Sequence, residues 1–275
     1  MKKTFIPTLI LAVLLLGSCA TQELKPLKFA VIPSEDASLT KLQWKRVTDY
    51  LSEGLGREVE LVVVSDYASV VEAMKYGHAD IARLSPVGYV MATKEGAEIE
   101  PIVVAVKEST GQAGYYGYLV TRAGVDITNL NDMTFAFVDV GSTSGYIVPS
   151  IYLEKQGIEP KEILLAGSHG AVILAVKNRT VDVGAIADNR FNIAIQEGVI
   201  VEDEFAIIWK SVLIPNVPIA VQSSLPKYLK DRLTELFLNM PEEIVEYTQV
   251  GETGYVKASD TDYDSVREIM RYESR

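Results

Sequence analysis

Residues 134–187 read TFAFVDVGSTSGYIVPSIYLEKQGIEPKEILLAGSHGAVILAVKNRTVDVGAIA. Thr134 to Asp139 is a short apolar run that ends at an acid, which reads as a buried strand. Gly145 to Gln156 continues as a helix, Ile163 to Ala166 returns to strand, Ala171 to Asn178 is a second helix, and Val183 to Ala187 a third strand. Strands alternating with helices predict a mostly parallel sheet covered on both faces.

Upstream the same alternation occurs once before. Lys28 to Pro33 is a strand, and Leu42, Val47, Tyr50 and Leu51 fall near helical spacing until Gly54 and Gly56 stop them. Glu58 to Val64 is a valine-rich strand. Ser65 or Asp66 then caps a helix carrying Val70, Val71 and Met74 as far as Gly77. Asp80 to Ala82 is a third strand, and Ser85-Pro86 starts another helix. Tyr115 to Val120 and Ile207 to Val221, the latter broken by Pro215 and Pro218, read as two crossings between the units. Helices at about Pro226–Asn239 and Asp262–Tyr272 then return to the first. The expected molecule is a two-lobed α/β protein: residues 27–118 in lobe 1, 119–213 in lobe 2, and 214–275 the return crossing and the rest of lobe 1. Its ligand cleft lies at the hinge, beyond the carboxyl ends of the strands.

The ends and the charge narrow the class. Lys2 and Lys3 precede an apolar run from Phe5 to Leu16, the layout of a secretory signal over residues 1–18. The run falls short of the roughly 20 residues of a transmembrane helix. Cys19 is the only cysteine, so no disulfide can form within the chain. Leu16-Gly17-Ser18-Cys19 resembles the lipobox of bacterial lipoproteins, which implies a diacylated Cys19, a tether over 19–26, and a protein anchored on the extracytoplasmic side of a bacterial membrane. Loss of residues 1–18 removes two lysines and no acid, taking the formal charge from −11 to −13. Such acidity argues against nucleic acid, and it obliges any bound anion to rely on local donors. The two histidines, His78 and His169, lie far apart and no cysteine pair exists, so no metal or other cofactor is expected.

Gly141-Ser142-Thr143-Ser144-Gly145 carries the most chemistry. Glycines let the backbone approach, three hydroxyls donate, and a helix start offers amides and a positive dipole end, a combination suited to an oxyanion. A plain helix cap would need one serine. Pro149 suits the first turn of the regular helix, which would leave 142–145 as a looser turn. Gly167-Ser168-His169-Gly170 is a second such turn, where His169 can donate a ring N–H and would be favoured as the cation by a neighbouring anion. From the first lobe come Tyr67, with a phenolic hydroxyl, Ser85, and Arg83. A guanidinium there can grip an oxyanion bidentately or can pair with acids of this negative chain, and both readings stand. His78, at a helix end, is given no role.

Together these segments resemble the phosphate, phosphite and phosphonate binding proteins of ABC importers, whose fold is that of type II periplasmic binding proteins. The resemblance runs from about Lys28 to Pro226 and rests on Asp66-Tyr67-Ala68, Ala79-Asp80-Ile81-Ala82, Asn129-Leu130-Asn131-Asp132, Gly141 to Gly145 with Val148-Pro149, Gly167-Ser168-His169, and Ile208-Trp209-Lys210-Ser211 with Leu213-Ile214-Pro215. It implies that Ser142, Thr143, Ser144, His169 and Tyr67 hold phosphoryl oxygens of a small phosphorus oxyanion. Members that take aminoalkylphosphonates carry acids near the positions of Asn189 and Val217; here one is an amide and one apolar, with Asp188 adjacent. A tyrosine expected near Leu84 is missing. The implied partners are a permease and its ATPase subunit, with the binding protein a monomer. A sensor subunit reporting an oxyanion to a membrane histidine kinase is the alternative. A hydrolytic triad of Ser142, His169 and Asp188 can be drawn, but three neighbouring hydroxyls describe a cradle better than one activated serine, and no enzyme activity is expected.

Overall fold

The computed structural model describes residues 24–32, 37–108, 110–248 and 251–273. The expected signal segment and Cys19 lie outside the described residues. In chain order the elements are β1 (Leu27–Val31), α1 (Ala37–Leu55), β2 (Val59–Val63), α2 (Tyr67–Lys75), β3 (Ile81–Arg83), α3 (Pro86–Lys94), β4 (Ile99–Lys107), β5 (Gly114–Tyr115), β6 (Gly117–Arg122), β7 (Thr134–Phe137), α4 (Val148–Lys155), β8 (Glu162–Leu165), α5 (His169–Lys177), β9 (Val183–Ala187), α6 (Asp188–Gln196), β10 (Phe205–Lys210), β11 (Ile214–Pro215), β12 (Pro218–Gln222), α7 (Lys227–Leu238), α8 (Glu242–Thr248), β13 (Glu252–Lys257) and α9 (Asp264–Glu273).

Two sheets result, in the orders β13-β4-β12-β3-β1-β2 and β10-β6-β9-β7-β8. β1 runs parallel to β2 and β3, and β7 parallel to β8 and β9, as alternation with helices requires. The sheets are nonetheless mixed rather than mostly parallel. Strands that enter or leave through the hinge run the other way: β12 is antiparallel to β3 and β4, and β6 to β9 and β10. Between the sheets β5 and β11 pair antiparallel, with Ile214 opposite Tyr115, so the two crossings form one ribbon. The return crossing is shorter than Ile207–Val221: β10 stays in the second sheet to Lys210 and β12 joins the first at Pro218.

Phe29 of β1 is fully buried, edge-on to Trp44 of α1 at 5.3 Å and to Phe237 of α7 at 6.3 Å. Burying such side chains contributes about 1.5–3 kcal/mol each. On the opposite face Val70, Met74 and Tyr89 of α2 and α3 pack with Tyr263 and Val266. In the second lobe α5 and α6 bury Val172, Val176 and Phe191 on one face, while Phe135, Phe137 and Leu153 fill the other. α9 touches both α3 and α4, one from each lobe, and the preceding Tyr263 donates its hydroxyl to the Asn216 carbonyl in the hinge at 3.1 Å.

Candidate functional site

The turn after β7 is shaped by its own side chains. The Asp139 carboxylate accepts the Gly141 N–H at 2.8 Å and its carbonyl the Ser142 N–H at 2.8 Å. Ser142 Oγ then accepts the Gly145 N–H at 3.1 Å. The Ile147 N–H reaches five residues back to the Ser142 carbonyl at 3.0 Å, so residues 143–147 form one wide π turn, a geometry often found at functional sites. α4 begins at Val148 with Pro149 in its first turn, where a missing amide hydrogen costs nothing. The looser turn before Pro149 is therefore real, and it presents the Thr143 and Ser144 amides where no carbonyl of the helix can reach. Glycine is required at 145, since a Cβ there would lie 2.4 Å from Val138 Cγ2.

Hydrogen bonds stitch this turn to the first lobe. Ser85, the cap of α3, accepts the Gly88 N–H at 2.9 Å and donates its hydroxyl to the Gly141 carbonyl at 2.9 Å. Thr143 Oγ1 accepts the buried N–H of Val87 at 3.0 Å. The Tyr67 phenol lies near Ser142 and the Tyr115 phenol near Ser144, and burial raises both phenols above their ordinary range. The lobes thus meet directly, and between them lies a cavity of about 70 Å³.

Ser142, Thr143, Ser144, His169, Tyr67, Ser85, Arg83 and Asn189, each singled out from the sequence, all line that cavity. His169 opens α5, whose cap Ser168 accepts the Ala171 N–H at 3.1 Å. Its Nδ1 accepts the Ala187 N–H at 3.2 Å, which leaves Nε2 to carry the proton. Desolvation first, then Arg190 and Lys107, push the ring down from 6.5 to about 3. Without an anion beside it His169 is a neutral donor, and the cation expected from the sequence is the form that a neighbouring anion would favour. Between about pH 3 and 6.5 the unfolded chain binds a proton there that the folded one does not, so acid in that window works against the fold.

Asp188 does not line the cavity. It is 2 % exposed, accepts the Asn189 N–H at 2.7 Å, and is raised above the usual carboxylate range by burial. A triad is not assembled, because His169 Nδ1 faces a backbone donor and has no proton for Asp188. Val217 also lines the cavity and offers no polar group. Among the described residues no cluster of histidine, cysteine or acids could hold a metal ion, and no helix is long and apolar enough to cross a membrane.

Several lining residues escaped sequence reading: Lys107, Arg190, Tyr115 and Asn216. Tyr115 supplies from the hinge a phenol of the kind missing near Leu84. Lys107 ends the long apolar strand β4 and is only 4 % exposed, ion-paired with the equally buried Glu252 of β13. Arg83 Nη2 lies 3.9 Å from the same carboxylate. Arg190 stands in the first turn of α6, where the helix dipole disfavours a cation. That unfavourable placement was a usable sequence signal. The lining therefore holds three cationic side chains and no carboxylate, inside a chain of net charge −11.

Comparison with known proteins gives a consistent result. The family described as "ABC transporter, phosphonate, periplasmic substrate-binding protein" matches residues 29–263. The phosphate-import protein PhnD of Mycolicibacterium smegmatis is 31% identical over 267 residues, 87% of this chain and 83% of the relative. The phosphonates-binding periplasmic protein of Escherichia coli is 28% identical over 279 residues, 96% of this chain and 81% of the relative. Among solved structures, PhnD1 of Prochlorococcus marinus in complex with methylphosphonate superposes with a TM-score of 0.81 at 19% identity, covering 91% of this chain and 98% of that one.

Proposed function

The chain belongs to the family of periplasmic substrate-binding proteins of phosphonate ABC transporters, and on that basis we propose that it captures a compact phosphorus oxyanion without an amine, such as phosphate, phosphite or methylphosphonate, in the interlobe cavity. Its place is extracytoplasmic and its work is delivery to an ABC importer; the relatives are transport proteins and lend nothing to a sensor role. The observation that carries the ligand reading is the lining itself: the hydroxyls of Ser142, Thr143 and Ser144, the Tyr67 phenol, the neutral His169 donor and three cations, with no carboxylate. Every one of these groups can donate to an oxyanion oxygen. Asn189 and Ser85 complete the wall, and Asp188 acts only from behind it.

Titration calorimetry on the exported chain tests this. An ammonium buried by closure needs a carboxylate partner, and leaving it unpaired costs several kcal/mol. Methylphosphonate and phosphite are expected to bind at least about tenfold more tightly than aminoethylphosphonate. The reverse order would show the reading wrong.

The lobes are proposed to divide as 27–118, 119–213 and 214–275, moving about the ribbon of β5 and β11. Cys19, beside its Leu16-Gly17-Ser18 box, is proposed to carry the lipid that holds the protein at the membrane. Cys19→Ala should move the protein from the membrane fraction to the soluble one, and a variant that stays wholly membrane-bound would contradict it.

A further inference from the structure

Resting on that reading of the ligand, we propose that Lys107 is itself a ligand contact, donating from the first lobe to one oxygen of the oxyanion whose other oxygens the turn at 142–144 holds. Lys107 ends the apolar strand β4 inside the protein, on the wall of the cavity. Burying a lysine is costly unless a partner compensates it. Glu252 does so from directly opposite on β13, as its cross-strand neighbour on the same face of the sheet.

The local backbone fixes where that lysine sits. An extra residue, Thr253, bulges β13 immediately after the pair, a device that sets the direction of the adjoining side chain. On the other side the Lys107 N–H donates to the Gln112 carbonyl at 2.9 Å, at the root of the first crossing.

The pair is incomplete by itself. The ammonium has three donors, Glu252 takes one, and among the described residues no other acceptor takes the remaining two. The second Glu252 oxygen is likewise buried without a hydrogen bond among the described residues. Matched apolar side chains often serve a fold as well as such a pair does, so stability alone is a poor reason for keeping it. An acceptor in the cavity completes it. Desolvation pulls Lys107 down and Glu252 holds it up, and a bound anion acts in the same sense as Glu252. Asn216, also on the wall, is already engaged: its Nδ2 donates to the Ala105 carbonyl at 2.8 Å and its Oδ1 accepts the Val217 N–H at 2.8 Å.

The test replaces both partners at once, Lys107→Met with Glu252→Leu. One charge of each sign is removed, so the net charge around the cavity is unchanged and neither group is stranded. Denaturant unfolding should find the double variant about as stable as the wild type. Calorimetry should find phosphite and methylphosphonate each bound about ten- to a hundredfold more weakly, the loss of one charged hydrogen bond. A pair that only supports the fold gives wild-type affinity in the folded double variant, and that result would overturn the assignment. A crystal structure of the wild-type protein with phosphite gives a second reading that needs no variant. Lys107 Nζ should lie within about 3.5 Å of a phosphite oxygen, and any longer separation would overturn the assignment even where the double variant does not fold. Failure of phosphite, phosphate and methylphosphonate to bind the wild type would instead remove the oxyanion reading beneath it.

Discussion

Gly141→Val should cost the protein at least about a hundredfold in ligand affinity while leaving the unliganded chain folded. A Cβ at 141 would stand 2.6 Å from Tyr67 Cβ and 3.3 Å from its Cγ. Tyr67 is the first residue of α2, so its Cβ is fixed by the helix and cannot swing aside. The two residues belong to opposite lobes, and the overlap is relieved when the lobes part. Gly141 does not have positive φ, so a side chain there meets no left-handed strain. What is lost is closure, with the hydroxyl bond from Ser85 to the Gly141 carbonyl and the Val87 amide bond to Thr143. A ligand that needs the closed form then binds in proportion to the small population that still reaches it. Calorimetry and small-angle scattering check this together: the variant should bind weakly and keep its larger radius at ligand concentrations that shrink the wild type. Wild-type affinity in a folded Gly141→Val protein would mean that the cavity is not closed by this contact.

Glu252→Ala should lower stability by about 3–5 kcal/mol, because it strands a buried lysine. Desolvation already pulls Lys107 below its ordinary range, and Glu252 is the main influence holding it up. Without that carboxylate the ammonium must lose its proton or draw in water, and the nearby Arg83 adds repulsion. Denaturant unfolding of the single variant and of Glu252→Ala with Lys107→Met separates an unpaired charge from lost packing. The double variant should recover most of the loss. A single variant within about 1 kcal/mol of wild type would show that the pair carries little of the fold.

The parts of this structure that follow from local rules were legible in the sequence. Asp66, Ser85 and Ser168 each cap a helix at the position their residue type suggests, and the apolar runs at 27–31, 59–63, 134–137 and 183–187 are strands. The hydroxyl turn and His169 were found because small residues and donors cluster between a strand and a helix. Residues 99–107 and 252–257 went unread as strands. The second run, with Glu252, Gly254 and Lys257, shows little apolar alternation, and its partner β4 lies far away in the chain. Of the site's cations, Lys107 shares this difficulty. Its carboxylate partner Glu252 is brought to it by β13 from 145 positions away. Nor does spacing reveal that Asn189 and Arg190 face inward while Asp188 turns away, since adjacent positions on a helix differ by about 100°.

The place of β12 in the first sheet bears on the order in which the chain can be assembled. β12 sits between β4 and β3 and pairs with both, yet it follows the whole of β6 to β10 in sequence. Residues 27–107 alone therefore supply two separate pieces of a sheet, β1 to β3 on one side and β4 on the other. The second sheet, by contrast, takes all its strands from one uninterrupted stretch, 117–210. A chain emerging from its N-terminus has everything the later lobe needs before the earlier lobe can be completed, so the first lobe to be synthesised is the last whose sheet can close.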